Sequence, residues 1–194
     1  MKIICFGDSN TYGYDPRGYL GGQYDHPWPE ILAEKLGYTV LNWGENGRQI
    51  PVAAMDFPAD TDLLTIMLGT NDLLQLLTPE AVCEKMERFL KSLTLERNKI
   101  LLIAPPPMKL GQWVQDQELI IRSEDLANSY KALTERLGIR FADAGEWNIP
   151  LAYDGVHLTE EAHKAFAMGL INYFNKEKKD AGNWNESAGF FPVR

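Results

Sequence analysis

Short stretches of the chain carry the residue types that a covalent acyl-transfer reaction needs. Ser9 lies in a Gly-Asp-Ser-Asn string directly after an apolar run, and His157 follows Asp154 by three residues. A serine can act as nucleophile, and a histidine can take its proton as general base. An aspartate just before the histidine can reach the other ring nitrogen and fix the tautomer. We therefore predict that Ser9, Asp154 and His157 are catalytic residues.

Acyl transfer also needs hydrogen-bond donors for the oxygen that becomes negative in the transition state. A Gly-Thr-Asn-Asp string supplies the side chain of Asn71. The backbone amides of Ser9 and Gly47 are further candidates for this oxyanion hole. Each of these residues alone is common in ordinary turns and helix caps. The prediction therefore depends on all of the stretches occurring together.

Apolar runs and helical stripes predict the elements that position these residues. Strands are expected near residues 3–6, 38–42, 62–68, 99–104 and 139–142. Helices with one apolar face are expected near residues 28–36, 78–93, 118–137 and 159–175, and a short one is considered at 51–55. Strands that alternate with helices predict an α/β fold, a three-layer sandwich around a five-stranded, mostly parallel sheet.

The expected strand order 2-1-3-4-5 places the first and third strands beside the switch point of the sheet. Ligands bind there, at the carboxyl ends of the strands. Ser9 follows the first strand and Asn71 follows the third, so the topology brings their turns together. Two loops, at residues 12–27 and 105–117, are expected to wall the substrate pocket. The pocket residues predicted around this point are Asp8, Tyr12, Tyr14 and Trp113.

Length and charge narrow the classes of protein to consider. The 194 residues fit one domain, predicted at residues 1–179, followed by an aromatic tail at 180–194 that docks on its own domain or on a neighbour. The net charge of −8 argues against nucleic acid and anionic membranes as partners. The first apolar run is too short for an export signal, and no run is long enough to span a membrane, so we expect a cytoplasmic protein. The two cysteines suggest neither a disulfide framework nor a zinc site.

Four blocks, in this order along the chain, resemble those of the SGNH (GDSL-type) esterases and lipases. They are Gly7-Asp8-Ser9-Asn10, a glycine after the second strand, Gly69-Thr70-Asn71-Asp72 and Asp154-Gly155-Val156-His157. The resemblance spans residues 3 to about 175. It implies a flavodoxin-like fold with Ser9 as nucleophile and with Asp154 and His157 completing the triad.

The resemblance also bears on two less regular positions. Gly44 and Gly47 both follow the second strand, and Gly47 has the family's usual spacing from Asn42, so Gly47 and Asn71 are the implied oxyanion donors beside the Ser9 amide. Asn10 stands where the family's name has leucine. The tyrosine-rich loop is most similar to the bacterial arylesterase and acyltransferase branch. That branch implies a small-molecule ester substrate, no metal or cofactor, and a homo-oligomer.

The expected function is a serine esterase for short-chain carboxylic esters, such as acetyl groups on sugars or small alcohols. A lysophospholipase or thioesterase would use the same residues, and acyl transfer to alcohols is a further alternative. A non-catalytic flavodoxin-like binding module is a different class, although the first turn lacks a P-loop. A metal hydrolase built on Asp8, Asp72, Asp154 and His157 would leave Ser9 and Asn71 without a role.

Overall fold

The computed structural model describes residues 1–18 and 21–182, with side chains through residue 180. Its main sheet has five parallel strands, and a small antiparallel hairpin lies beside it. The main strands are β1 (Lys2–Gly7), β4 (Thr39–Gly44), β5 (Leu63–Met67), β6 (Ile100–Ala104) and β7 (Arg140–Asp143), and the hairpin strands are β2 (Tyr14–Asp15) and β3 (Gly22–Gln23). The helices are α1 (Ser9–Tyr12), α2 (Trp28–Leu36), α3 (Thr70–Leu74), α4 (Pro79–Ser92), α5 (Gln117–Leu137) and α6 (Glu160–Gly182).

The strands of the main sheet lie in the order β4-β1-β5-β6-β7. Counted along the chain, this is the order 2-1-3-4-5, so the predicted topology and the three-layer α/β class are confirmed. β1 pairs with both β4 and β5, and Gly7 lies opposite Gly44 on one side and Met67 on the other. The turns that follow these three strands therefore share one edge of the sheet.

Alternation along each strand divides the core into two clusters, one on each face of the sheet. Ile4, Phe6, Leu64 and Ile66 pack with residues of α4 and α5. Their strand neighbours Ile3, Cys5, Leu63 and Met67 pack with residues of α2 and α6. Successive side chains in a strand point to opposite faces, so a strand buried on both sides must be apolar throughout. This explains why these runs show no polar alternation.

The local signals for helix ends were accurate. The Thr78 hydroxyl accepts a hydrogen bond from the Ala81 amide at the start of α4, followed by proline in the first turn. Gly37 and Gly138 end α2 and α5 in the left-handed conformation.

The structure differs from the predicted elements in three segments. Residues 51–55 form no helix but lie in a loop that bends at Val52 and Ala53. The loop at 12–27 is not structureless, since it contains the β2–β3 hairpin. The last helix continues to Gly182, whereas Tyr19 and most of the predicted tail, residues 183–194, lie outside the described residues. Among the described helices, none is long and apolar enough to cross a membrane.

Candidate active site

Ser9 occupies the first position of the short helix α1, directly beyond the end of β1. The carboxylate of Asp8 caps this helix by accepting a hydrogen bond from the Asn10 amide at 2.9 Å. Gly44 packs under the helix, since a Cβ atom there would lie 2.0 Å from the backbone nitrogen of Tyr12. This close approach fixes the Ser9 side chain at the carboxyl edge of the sheet, where it is 6% exposed.

The loop before α6 places His157 against Ser9. The His157 Nε2 atom lies 3.0 Å from the Ser9 Oγ atom, and its Nδ1 atom lies 2.7 Å from Asp154 Oδ2. The other carboxylate oxygen of Asp154 accepts hydrogen bonds from the amides of Val156 and His157, both at 2.9 Å. With a proton on Nδ1, the ring donates to Asp154 and leaves Nε2 free to accept the Ser9 proton.

Asp154 is suited to remain ionised within this arrangement. Its burial alone would raise the pKa, but the hydrogen bonds from the His157 ring and from the backbone amides of His157 and Val156 hold the pKa below its usual value of 3.8. An ionised Asp154 fixes the tautomer of His157 and stabilises the imidazolium that forms when the serine proton is taken.

Asn10 joins α1 to residues 152–158, here called the histidine loop. This contact was not predicted from the sequence. Its side-chain amide donates to the Val156 carbonyl at 3.1 Å, and its side-chain oxygen accepts from the Leu158 amide at 2.9 Å. These two backbone groups lie on either side of His157. Asn10 is buried and directly follows Ser9, so a single side chain sets the distance between the two.

Replacing Asn10 with leucine, the residue in the family's name, is expected to lower kcat about ten- to a hundred-fold with little change in KM. Leucine has a similar size but leaves the Val156 carbonyl and the Leu158 amide without their partner. The His157 ring then loses its fixed distance to Ser9. Steady-state kinetics beside an Asn128→Leu control on α5 checks this, and a wild-type kcat in Asn10→Leu contradicts it.

The turn after β4 lies beside Ser9 and is held by side chains from α3 and α4. Gly47 has φ +74° in the turn closed by the Arg48 amide and the Glu45 carbonyl. The Asn71 side-chain amide donates to the Arg48 carbonyl at 3.0 Å. This bond uses one of the two N–H groups of Asn71 and leaves the other available for a substrate oxygen.

The hydrogen bonds of the backbone amides favour Gly47 over Gly44 as the candidate oxyanion donor. The Gly44 amide donates to the Asn42 side-chain oxygen at 2.9 Å, so it is occupied. The Gly47 amide has no acceptor within the described part of the chain, and the residue is exposed. Gly47 therefore has the free donor that an oxyanion site requires.

Three charged side chains hold this turn in place, and the roles of Arg48 and Lys85 among them were not predicted from the sequence. The Arg48 guanidinium donates to the carbonyls of Gly7 and Trp43 and lies over the Phe6 ring. The buried Asp72 pairs with Lys85 at 2.5 Å and accepts a hydrogen bond from the Ile50 amide at 3.0 Å. The ends of β1 and β4 are thereby tied to the turn at residues 45–48.

Asp8 is the one acidic group of the site whose pKa is raised. Burial raises its pKa from 3.8 to about 6, although the Asn10 amide and the charges of His157 and Arg48 favour the carboxylate. The folded protein thus binds this proton more tightly than the unfolded chain. The stability that results is present below the unfolded pKa and is lost as the pH rises through the folded pKa.

Replacing Asp8 with asparagine is therefore expected to stabilise the protein in a pH-dependent manner. The gain in the free energy of unfolding is about 3 kcal/mol at about pH 8 and less than about 1 kcal/mol at about pH 4. The asparagine oxygen can still accept the Asn10 amide and cap α1. Urea unfolding at both pH values measures the gain, with the exposed Asp125→Asn as control. A gain that does not vary with pH contradicts the prediction.

The predicted pocket residues lie in different surroundings. Tyr14 and Trp113 both contact the His157 ring, with centroid distances of 4.6 and 5.0 Å. Asp8 is the buried cap described above. Tyr12 is half-buried at the end of α1, where its carbonyl accepts a hydrogen bond from the Gln23 side chain.

The four residues of the metal alternative do not form one cluster. Asp72 is engaged by Lys85, and Asp154 by His157. Across residues 1–18 and 21–182, no three His, Cys, Asp or Glu side chains lie close enough together to hold a metal ion.

The chain is similar in sequence and in structure to known proteins. The model of the GDSL-like lipase/acylhydrolase family matches residues 5–165. A carbohydrate acetylesterase family member from Sinorhizobium meliloti is 26% identical, with a TM-score of 0.75 over 90% of this chain and 97% of that one. The native aryl esterase of M. smegmatis shares the fold at 24% identity, with a TM-score of 0.76 over 90% and 98% of the two chains. A G-D-S-L lipolytic protein from Veillonella parvula is similar at 24% identity, with a TM-score of 0.69 over 91% and 99%. No match was found among curated proteins.

Proposed function

The chain belongs to the GDSL-like lipase/acylhydrolase family, whose model covers residues 5–165, and we propose that it is a serine esterase for short-chain carboxylic esters. Membership makes the protein a hydrolase that acts on ester bonds. The observation that supports a serine nucleophile is the chain of hydrogen bonds from Asp154 through His157 to Ser9. The Asp154–His157 distance is 2.7 Å and the His157–Ser9 distance is 3.0 Å. This is the arrangement that activates a serine for attack on an acyl carbon.

In the proposed reaction, the Ser9 oxygen attacks the ester carbonyl while His157 takes its proton. Asp154 stabilises the imidazolium that forms. The carbonyl oxygen becomes negative and accepts hydrogen bonds from the amides of Ser9 and Gly47 and from the second N–H of Asn71. One such donor typically contributes about 3 kcal/mol to transition-state stabilisation. His157 then protonates the leaving alcohol, and water releases the acyl group from Ser9 by the same steps in reverse.

The proposed preference for short acyl chains is supported by the similarity to a carbohydrate acetylesterase family member. The structure from Sinorhizobium meliloti is that of a carbohydrate acetylesterase family member, and the likeness extends over 97% of that protein. Acetyl groups on sugars or other small alcohols are therefore the substrates that we propose first. The cytoplasmic location and the homo-oligomer expected from the sequence stay predictions, which cell fractionation and light scattering test.

Hydrolysis of 4-nitrophenyl esters from acetate to laurate tests the proposal. We expect the highest kcat/KM at acetate or butyrate, and no loss of activity with a chelator. A maximum at laurate would instead favour a lipase or lysophospholipase, and loss of activity with the chelator would favour the metal alternative. A protein without activity on any ester or thioester would overturn the proposal. The non-catalytic binding module would then be the remaining alternative.

A further inference from the structure

The His157 ring is flanked by two aromatic side chains, one of which faces solvent. Tyr14 lies tilted at 4.6 Å, and Trp113 meets the ring nearly edge-on at 5.0 Å. Trp113 is 52% exposed, although a tryptophan buries more apolar surface than any other side chain. A large apolar ring that stays half-exposed beside the candidate general base is available for contact with a ligand.

The backbone fixes the position of Trp113. Its segment, residues 109–114, is here called the strap. Three backbone amides of the strap donate hydrogen bonds to carbonyls of the histidine loop. The Trp113 amide donates to the Asp154 carbonyl at 3.0 Å. The other two bonds run from Lys109 to Gly155 at 3.0 Å and from Gln112 to Tyr153 at 3.1 Å. A Cβ atom on Gly111 would lie 2.4 Å from the Asp154 carbonyl carbon, so the two segments are in close contact. A ring held in this way loses little conformational entropy when a ligand packs against it.

The chemistry of acylation decides which part of the substrate meets Trp113. The proton taken from the Ser9 oxygen passes through His157 Nε2 to the oxygen of the leaving alcohol. The serine oxygen–carbon bond forms, and the carbon–oxygen bond to the alcohol breaks. The alcohol oxygen must therefore come within hydrogen-bond reach of Nε2, beside the rings that flank His157. The acyl oxygen, in contrast, lies toward the amides of Ser9 and Gly47.

We propose that Trp113, with Tyr14, forms the subsite for the leaving alcohol and selects alcohols that carry a six-membered ring at the ester oxygen. This inference rests on the proposed function. A fixed indole offers an apolar surface against which an aryl ring or the apolar face of a pyranose packs, whereas a short open-chain alcohol makes little contact. Selectivity for the alcohol resides in the rings of Trp113 and Tyr14, and selectivity for the acyl chain resides elsewhere in the site.

The test uses acetate esters only, so that every substrate gives the same acyl-enzyme. The esters are phenyl acetate, a mono-acetylated methyl pyranoside and ethyl acetate. We expect Trp113→Leu to lower kcat/KM roughly ten-fold on the ring esters and to leave ethyl acetate within about two-fold of wild type. Trp113→Phe is expected to retain most of the activity on phenyl acetate. Leu110→Ala is the control, because Leu110 is an exposed apolar residue of the same strap.

The outcomes separate this inference from the proposed function. A fall on phenyl acetate alone, on the pyranoside alone or on both supports the subsite and identifies the ring that it takes. An equal fall on ethyl acetate, or no fall on either ring ester, overturns it. A changed acyl-length profile with a constant 4-nitrophenyl group also overturns it, since Trp113 would then act on the acyl side. Wild-type protein that is inactive on every ester, or full activity in Ser9→Ala, overturns the proposed function itself.

Discussion

Replacing Ser9 with alanine is expected to lower kcat by roughly five to six orders of magnitude on every ester that the wild type hydrolyses. The Ser9 oxygen lies 3.0 Å from His157 Nε2, and alanine removes the atom that would carry the acyl group. The oxyanion donors and the binding surface stay in place, so a slow water-dependent reaction remains. KM is expected to change little, because alanine removes an atom that acts mainly in the reaction itself.

The measurement combines steady-state kinetics with mass spectrometry after a serine-directed phosphonate. The wild type gains one phosphonyl group, and Ser9→Ala gains none. Ser129→Ala is a suitable control, since Ser129 lies on α5 and its carbonyl contacts the Cys83 thiol of α4. Activity in Ser9→Ala within ten-fold of wild type would remove Ser9 as nucleophile and return attention to the metal alternative.

Replacing Asp154 with asparagine is expected to lower kcat roughly ten-thousand-fold. The Asp154 carboxylate accepts three hydrogen bonds, one from the His157 ring and two from the amides of Val156 and His157. An asparagine oxygen can keep the two amide bonds, but its N–H group then faces His157 Nδ1. The ring must adopt the other tautomer, with its proton on Nε2, and it can no longer accept the Ser9 proton.

The change in tautomer leaves the loop folded. We therefore expect Asp154→Asn to lose activity while its thermal stability changes little. Thermal unfolding is expected to shift by only a few degrees, while kcat/KM collapses near neutral pH. Asp143→Asn is a matched control, since the Asp143 carboxylate caps a short helix by accepting the Gly145 amide and does not contact His157. Activity of Asp154→Asn near the wild-type level would show that the backbone alone orients His157.

The sequence alone allows a large part of this architecture to be predicted. Each buried strand has its own apolar run, and each main helix has a cap or an apolar stripe, so the alternation and the topology could be worked out from local signals. The three turns with Ser9, Gly47 and Asn71 follow strands that are neighbours in the sheet. Their convergence is therefore a consequence of strand order and needs no side-chain detail.

The supports of the site could not be predicted in the same way. Arg48 and Lys85 look like ordinary surface cations in the sequence. The bond from Arg48 to the Gly7 carbonyl spans 41 residues of chain. The Lys85–Asp72 pair joins α4 to α3, and only the packing of α4 brings it within reach. Asn10 was noted as a departure from the family's name, yet its contacts with residues 156 and 158 depend on how the last loop crosses α1.

The position of β1 in the sheet also affects when the protein can become active during its synthesis. Ser9 and His157 contact each other across 148 residues of chain, and β1 needs β4 and β5 as neighbours before its edges are paired. The ribosome releases the serine before the histidine loop, which follows it by 148 residues. A nascent chain can therefore build most of its sheet while it has no catalytic base. Esterase activity on a ribosome-bound or truncated chain would thus report the arrival of the histidine loop and α6.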